Sequence, residues 1–192
     1  MEFSALILAA GKGTRMKSDL PKVIHPLLGR PLVEYGINAV KALQPEQICL
    51  VIGHKASLVQ EKLADLPFPL NFVIQKEQLG TGHAVQQGAD LFQDYTGPVL
   101  ILPGDAPLLT AETLGSLLEY HRSGGYSATI LTTLLPNPHG YGRIIRDAAE
   151  NVVAIVEEKD ATPEERLIKE VNSAVYCFDS TQLYEALGAI DA

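Results

Sequence analysis

The sequence has no tryptophan, only two cysteines and two methionines, and aromatic residues make up 6% of it. Positive charge is also scarce: 15 Lys and Arg stand against 23 Asp and Glu, a formal net charge of −8. An acidic chain with no tryptophan and no dense basic face is a poor nucleic-acid binder, so that partner is excluded. No apolar run approaches the ~20 residues needed to cross a bilayer, so no membrane partner is expected. The opening Met-Glu-Phe-Ser lacks the basic segment of a signal peptide. Cys49 and Cys177 each lie inside an apolar run and read as buried free thiols of a reducing compartment, so a cytoplasmic location is expected. A G-x-S-x-G elbow is absent, which removes support for a covalent acyl mechanism. His25, His54, His83, His121 and His139 show neither metal-ligand spacing nor a nucleophile partner and read as non-ligands.

What is present centres on the first turn. Residues 5–10 are a near-continuous apolar run, the pattern of a fully buried strand. The run breaks into Gly11-Lys12-Gly13-Thr14. Glycines straight after a buried strand let the backbone turn sharply and bring N–H groups up to an anion. Over residues 1–30, Lys12, Arg15, Lys17, Lys22 and Arg30 outnumber Glu2 and Asp19, a positive island in an acidic chain. A polyphosphate is the ligand such an island suits. The dinucleotide pattern G-x-G-x-x-G fails at its third glycine, where Met16 stands, and no G-x-x-x-x-G-K-[ST] loop occurs.

Further along, strand and helix patterns alternate. A helical stripe with a proline near its first turn covers residues 31–43, and a buried strand residues 47–52. Ser57 and Gln60 have the spacing of a capping box opening a helix to about Leu66. Strands at 71–75 and 98–103, a helix from the glycine loop near Gly80 to about Phe92, a helix at 110–122 and a strand at 127–135 continue the rhythm. About four strand–helix repeats with short connections imply an open parallel sheet with helices on both faces. From Pro136 the rhythm changes to a strand pair at 140–146 and 151–156, a capping box at Thr162–Glu165 opening a short helix, a strand at 171–178 and a last helix at 180–190. This half reads as mostly antiparallel additions to the sheet. At 192 residues one domain is the default.

In parallel sheets ligands bind beyond the carboxyl ends of the strands, where the glycine turn, Gln75 and Asp105 all fall. Asp105, one residue past Gly104, is either a Mg²⁺ ligand beside a triphosphate or a turn aspartate bonding its own loop. Arg15 and Lys22 are surface charges or, with backbones fixed by a glycine turn and by Pro21, phosphate contacts. Gln75, Gly80 and Thr81 could read a base edge or merely open a helix. Tyr141, Gly142, Glu157 and Asn172 could contact a sugar or be structural.

The pattern L-x-A-A-G-x-G-T-R-M-x5-P-K resembles the signature of the sugar-nucleotide pyrophosphorylases. Over residues 6–26 the chain more closely resembles the uridylyltransferase domain of the bifunctional N-acetylglucosamine-1-phosphate uridylyltransferases. So do Q-x-x-Q-L-G-T-G-H-A from Gln75, G-D-x-P-L from Gly104, G-Y-G-R-I from Gly140, V-E-x-K-D-A from Val156 and V-N-S from Val171. Six motifs in family order span essentially the whole chain. The resemblance implies a Rossmann-like three-layer α/β nucleotidyltransferase fold and Mg²⁺-dependent transfer of a uridylyl group from UTP to N-acetylglucosamine 1-phosphate. The products would be UDP-N-acetylglucosamine, a cell-wall precursor, and pyrophosphate.

It assigns Leu8, Ala9, Ala10, Gly11, Gly13, Gln75, Gly80 and Thr81 to the nucleotide. Arg15 and Lys22 would hold the triphosphate, Asp105 the Mg²⁺, and Gly142, Glu157 and Asn172 the sugar. It also implies a longer protein, with the domain's own C-terminal end, a second metal ligand and a trimeric acetyltransferase β-helix beyond residue 192. Two departures from the family stand beside the sites: Pro103 in place of tyrosine and Ala174 in place of glycine. A cytidylyltransferase or another sugar-phosphate enzyme, and a nucleotide-binding module with little turnover, are the alternatives.

Overall fold

The computed structural model describes residues 2–13, 16–92 and 95–189. The first apolar run forms β1 (Ser4–Ala9), buried along nearly its whole length. β4 (Gln47–Ile52) and β6 (Pro98–Pro103) flank it in parallel, and β5 (Asn71–Ile74) adds to β4, giving the order β5-β4-β1-β6. Leu6 is level with Cys49 and Ile101, and Ile7 with Leu50 and Leu102. Successive residues of a strand point to opposite faces, so these two sets line opposite sides of the sheet.

Each side is covered by helix, as the apolar runs require. Leu6 lies under α3 (Thr81–Gly88), where Gly88 gives it room, and Leu102 lies against Gly36 of α1 (Leu32–Lys41). α1 packs on α4 (Ala111–Gly124), and α3 on α5 (Ser180–Gly188). The sheet between two helical layers is the expected three-layer α/β fold.

A short hairpin, β2 (Pro26–Leu27) with β3 (Arg30–Pro31), and α2 (Ala56–Leu63) complete the first half. The hairpin has no counterpart in the sequence reading. It turns through Leu28 and Gly29, both at positive φ, and its strands are too short to show an alternating pattern. Ser57 does not cap α2. The chain leaves β4 through Gly53, Lys55 adopts a left-handed φ of 54°, and the helix starts at Ala56, with no side-chain cap, so Ser57 already lies in its first turn. At α4 and α5, Thr110 and Asp179 do cap, each accepting from the N–H three residues on.

The chain divides into two compact units, Met1–Thr129 with Cys177–Ala192, and Ile130–Tyr176. β7 (Ala128–Leu134) leads into the second unit and β10 (Glu170–Asp179) leads out. Within that unit β10 pairs with β7 and β8 (Arg143–Arg146), and β8 with β9 (Val152–Val156). The β10–β8 and β8–β9 pairs are antiparallel, as expected. The Thr162–Glu165 capping box closes reciprocally, Thr162 N–H to the Glu165 carboxylate at 2.8 Å and Glu165 N–H to Thr162 Oγ1 at 3.2 Å. It opens only a single 3-10 turn, Glu165–Leu167.

Candidate active site

In the first unit β1 and β6 end together, and Gly104 N–H donates to Leu8 O at 2.9 Å. A Cβ on Gly104 would come within 3.1 Å of that carbonyl, so glycine at 104 lets the loop carrying Asp105 lie close against the end of β1 without crowding. On the other side Gly13, at φ +61°, lies against Lys22, whose Cβ would be 2.7 Å from any Cβ at 13. Pro21 sets the backbone before a 3-10 turn at Lys22–Ile24. The two loops bring Lys22 Nζ within 2.5 Å of Asp105 Oδ2. Both side chains remain over a third exposed, at 40% and 34%, so the pair is built for access rather than stability.

The ammonium–carboxylate pair lies in a cavity of about 390 Å³ lined by Leu8, Ala9, Gly11, Gly13, Met16, Lys22, Val23 and Asp105. A second cavity, about 240 Å³, is lined by Leu8, Ala10, Gly11, Gln75, Gln78, Gly80, Thr81 and Ala84. Leu8 and Gly11 belong to both. Among the described residues beyond its chain neighbours, no atom lies within 4 Å of a Cβ at Gly11, so its missing side chain leaves space at the junction. Lys22 and Asp105 therefore share one cavity, while Gln75, Gly80 and Thr81 line the next. Arg15 lies outside the described residues.

Gln75 is buried, and its amide nitrogen reaches Gly80 O at 3.1 Å and His83 Nδ1 at 3.0 Å. The other ring nitrogen of His83 meets the Gln87 amide at 3.2 Å. Sequence spacing did not single out His83, because its partner lies eight residues back and only the folded glycine loop joins them.

In the second unit, Gly142, Glu157 and Asn172 also converge. A Cβ on Gly142 would sit 3.2 Å from Glu157 Oε1, and Asn172 N–H donates to Gly142 O at 2.9 Å. The Asn172 amide donates to Tyr176 Oη at 2.6 Å and its oxygen accepts from Ala174 N–H at 2.9 Å. Burial pushes the Tyr176 phenol above its ordinary value; the Asn172 bond opposes this and the Glu157 charge adds to it. Tyr176 thus joins the cluster, although nothing in its sequence context marks it. Below Gly142, the buried Arg143 guanidinium pairs with Glu158 at 2.6 Å and also donates to Tyr141 O. Glu158 accepts Gly140 N–H, so one ion pair ties down the whole turn.

Among the described residues no three His, Cys, Asp or Glu side chains gather around one point. Asp105 is a hard oxygen donor in an open polar cavity, which fits a divalent cation held mainly by phosphate and water oxygens.

Fold and site together are those of a nucleotidyltransferase domain, an α/β sheet whose glycine loop and Lys22–Asp105 pair lie at strand carboxyl ends. Residues 5–173 match the MobA-like NTP transferase domain, and the chain belongs to that family. It is 50% identical over 184 residues to the bifunctional protein GlmU of Geotalea daltonii, covering 96% of this chain and 40% of the relative. It is 48% identical over 187 residues to GlmU of Enterococcus faecalis, covering 97% and 40%. The chain thus spans about two fifths of the length of these relatives. Among solved structures, a putative glucose-1-phosphate thymidylyltransferase from Bacillus anthracis superposes with a TM-score of 0.77 at 16% identity, over 98% of this chain and 79% of that one. HddC from Yersinia pseudotuberculosis does so at 0.74 and 23%, over 93% and 77%. These two show the shared fold.

Proposed function

We propose that the chain is the uridylyltransferase domain of a longer bifunctional protein, acting on UTP and N-acetylglucosamine 1-phosphate in the cytoplasm. The observation that carries this reading is the Lys22–Asp105 pair in one cavity, joined through Gly11 to a second cavity that Gln75, Gly80 and Thr81 line. Identity of about half over nearly the whole chain to proteins named GlmU supports the choice of substrates.

In the reaction proposed, a phosphate oxygen of the sugar phosphate attacks the α-phosphorus of UTP. The bond to the β-phosphate oxygen breaks and pyrophosphate leaves. Lys22 donates to phosphate oxygens and stabilises the charge that builds on them, with Arg15 assigned the same task. Asp105 would hold Mg²⁺, which when bound neutralises triphosphate charge. Uracil takes the Gln75 cavity, and Gly142, Glu157 and Asn172 take the acetamido sugar. No covalent intermediate on the protein is needed; positioning and charge neutralisation suffice. The full-length protein is proposed to be a homotrimeric uridylyltransferase and acetyltransferase.

The test is pyrophosphate release from UTP, N-acetylglucosamine 1-phosphate and Mg²⁺, run beside Asp105→Asn. Release that needs the sugar phosphate and falls roughly 10²-fold or more in the variant supports the proposal. Faster release with CTP or another sugar phosphate would redirect it within the class. Metal-dependent UTP binding without release would leave a nucleotide-binding module.

A further inference from the structure

We propose that His83 is a positioning residue that decides which base the second cavity accepts, an inference that rests on the nucleotide reading above. Gln75 carries two amide hydrogens. Both have protein acceptors within reach: Gly80 O at 3.1 Å and His83 Nδ1 at 3.0 Å. The Gly80 carbonyl also accepts Ala84 N–H at 3.1 Å as α3 begins, so it is held in place by the helix.

A carbonyl oxygen and a bare ring nitrogen are both acceptors. Turning the Gln75 amide over would set its oxygen against the Gly80 oxygen and leave a buried acceptor facing another, both unsatisfied. The amide is therefore locked with its nitrogen toward the protein, and Oε1 is the atom left to serve a ligand in the cavity that Gln75 lines. With Nδ1 accepting, the neutral ring carries its proton on Nε2; the Gln87 amide nitrogen lies 3.2 Å from Nε2, so this tautomer requires the Gln87 amide to be turned over, its oxygen accepting that proton.

An acceptor in this cavity selects by chemistry. A pyrimidine whose N3 bears a proton between two carbonyls, as in uracil and thymine, can donate to Gln75 Oε1. Cytosine cannot, because its N3 is itself an acceptor, and two facing acceptors leave both unsatisfied. The chain Gly80–Gln75–His83–Gln87 is thus an orienting relay. Removing the Nδ1 acceptor leaves Gly80 O as the remaining acceptor for the amide nitrogen, so the amide is held less firmly, which erodes the preference without touching the phosphate site.

The experiment is calorimetric titration of the chain with UTP and with CTP in Mg²⁺, for the unaltered protein, His83→Leu and His83→Asn. Asparagine places an oxygen near the position of Nδ1; leucine places none. His83→Leu is expected to weaken UTP binding up to about tenfold and shrink the UTP-over-CTP ratio, and His83→Asn to restore both. If His83→Leu melts well below the unaltered chain, His83→Gln, whose polar end falls near Nε2 instead, carries the same expectation of a reduced ratio. A ratio unchanged in the leucine and glutamine variants overturns the role of His83 while leaving the nucleotide site standing. A chain that shows no UTP binding, or none that exceeds CTP, overturns the uridine reading itself and the inference with it.

Discussion

Gly11 and Gly13 stand two residues apart and respond oppositely to a methyl group. At Gly11 an added Cβ meets no atom of the described residues within 4 Å beyond its chain neighbours, yet it enters the junction of the two cavities. Gly11→Ala should keep its melting temperature and lose UTP affinity about tenfold or more, read by calorimetry. At Gly13 the same methyl would sit 2.7 Å from Lys22 Cβ in a left-handed backbone, so Gly13→Ala should lower the melting temperature and displace Lys22. Ala174 is the converse case. It stands at φ +61°, a region that favours glycine, and the resemblance had already marked it as a departure from the family's glycine. Ala174→Gly should relieve strain worth roughly 1 kcal/mol, less what glycine adds to the unfolded chain's freedom, and raise the melting temperature by a degree or more. The departure was legible in the sequence, but its cost came only from the backbone angle.

The elements hold the turn beside the Gly142, Glu157 and Asn172 cluster by charge. The Arg143 guanidinium, first among several contacts, holds the Glu158 carboxyl below its ordinary range, with Gly140 N–H assisting. Glu170 is held low in the same direction by Arg146 and Thr132. A carboxylate whose pKa is depressed on folding contributes its stability above the unfolded value and loses it as pH falls through the folded one. The second unit should therefore keep its protection against amide exchange near neutrality and lose it first, around residues 136–146, as pH drops below the ordinary glutamate range. Glu158→Gln should lower the melting temperature by stranding a buried guanidinium, and adding Arg143→Met should recover part of the loss. Capping shows why element boundaries were less legible. Thr162 and Glu165 close their box with both reciprocal bonds, whereas the Ser57–Gln60 spacing is overridden by the exit from β4 at Gly53 and Lys55. Spacing is local; the direction from which a chain arrives is not.

Across the whole molecule, both thiols lie in the first unit's core, and burial pushes Cys49 and Cys177 up to about 12. The thiolate is the reactive form, so at pH 8 neither should react with a thiol reagent until that unit opens, and both should label together in denaturant. No helix among the described residues is long and apolar enough to cross a membrane. The three-layer fold was legible in the sequence because buried parallel strands are continuous apolar runs, and β4 and β6 begin and end where their runs do. The loop residues at strand carboxyl ends were legible too, since glycines and charges stand out beside apolar runs. What the tertiary structure decided is pairing: Lys22 with Asp105 across 83 positions, Gly142 with Glu157 and Asn172, and Gln75 with His83 around the Gly80 loop. Sequence determines which segments must be buried, because burial follows from composition along a single strand or helix. Which side chains then meet depends on register, turn geometry and helix position, quantities that exist only once the segments have packed.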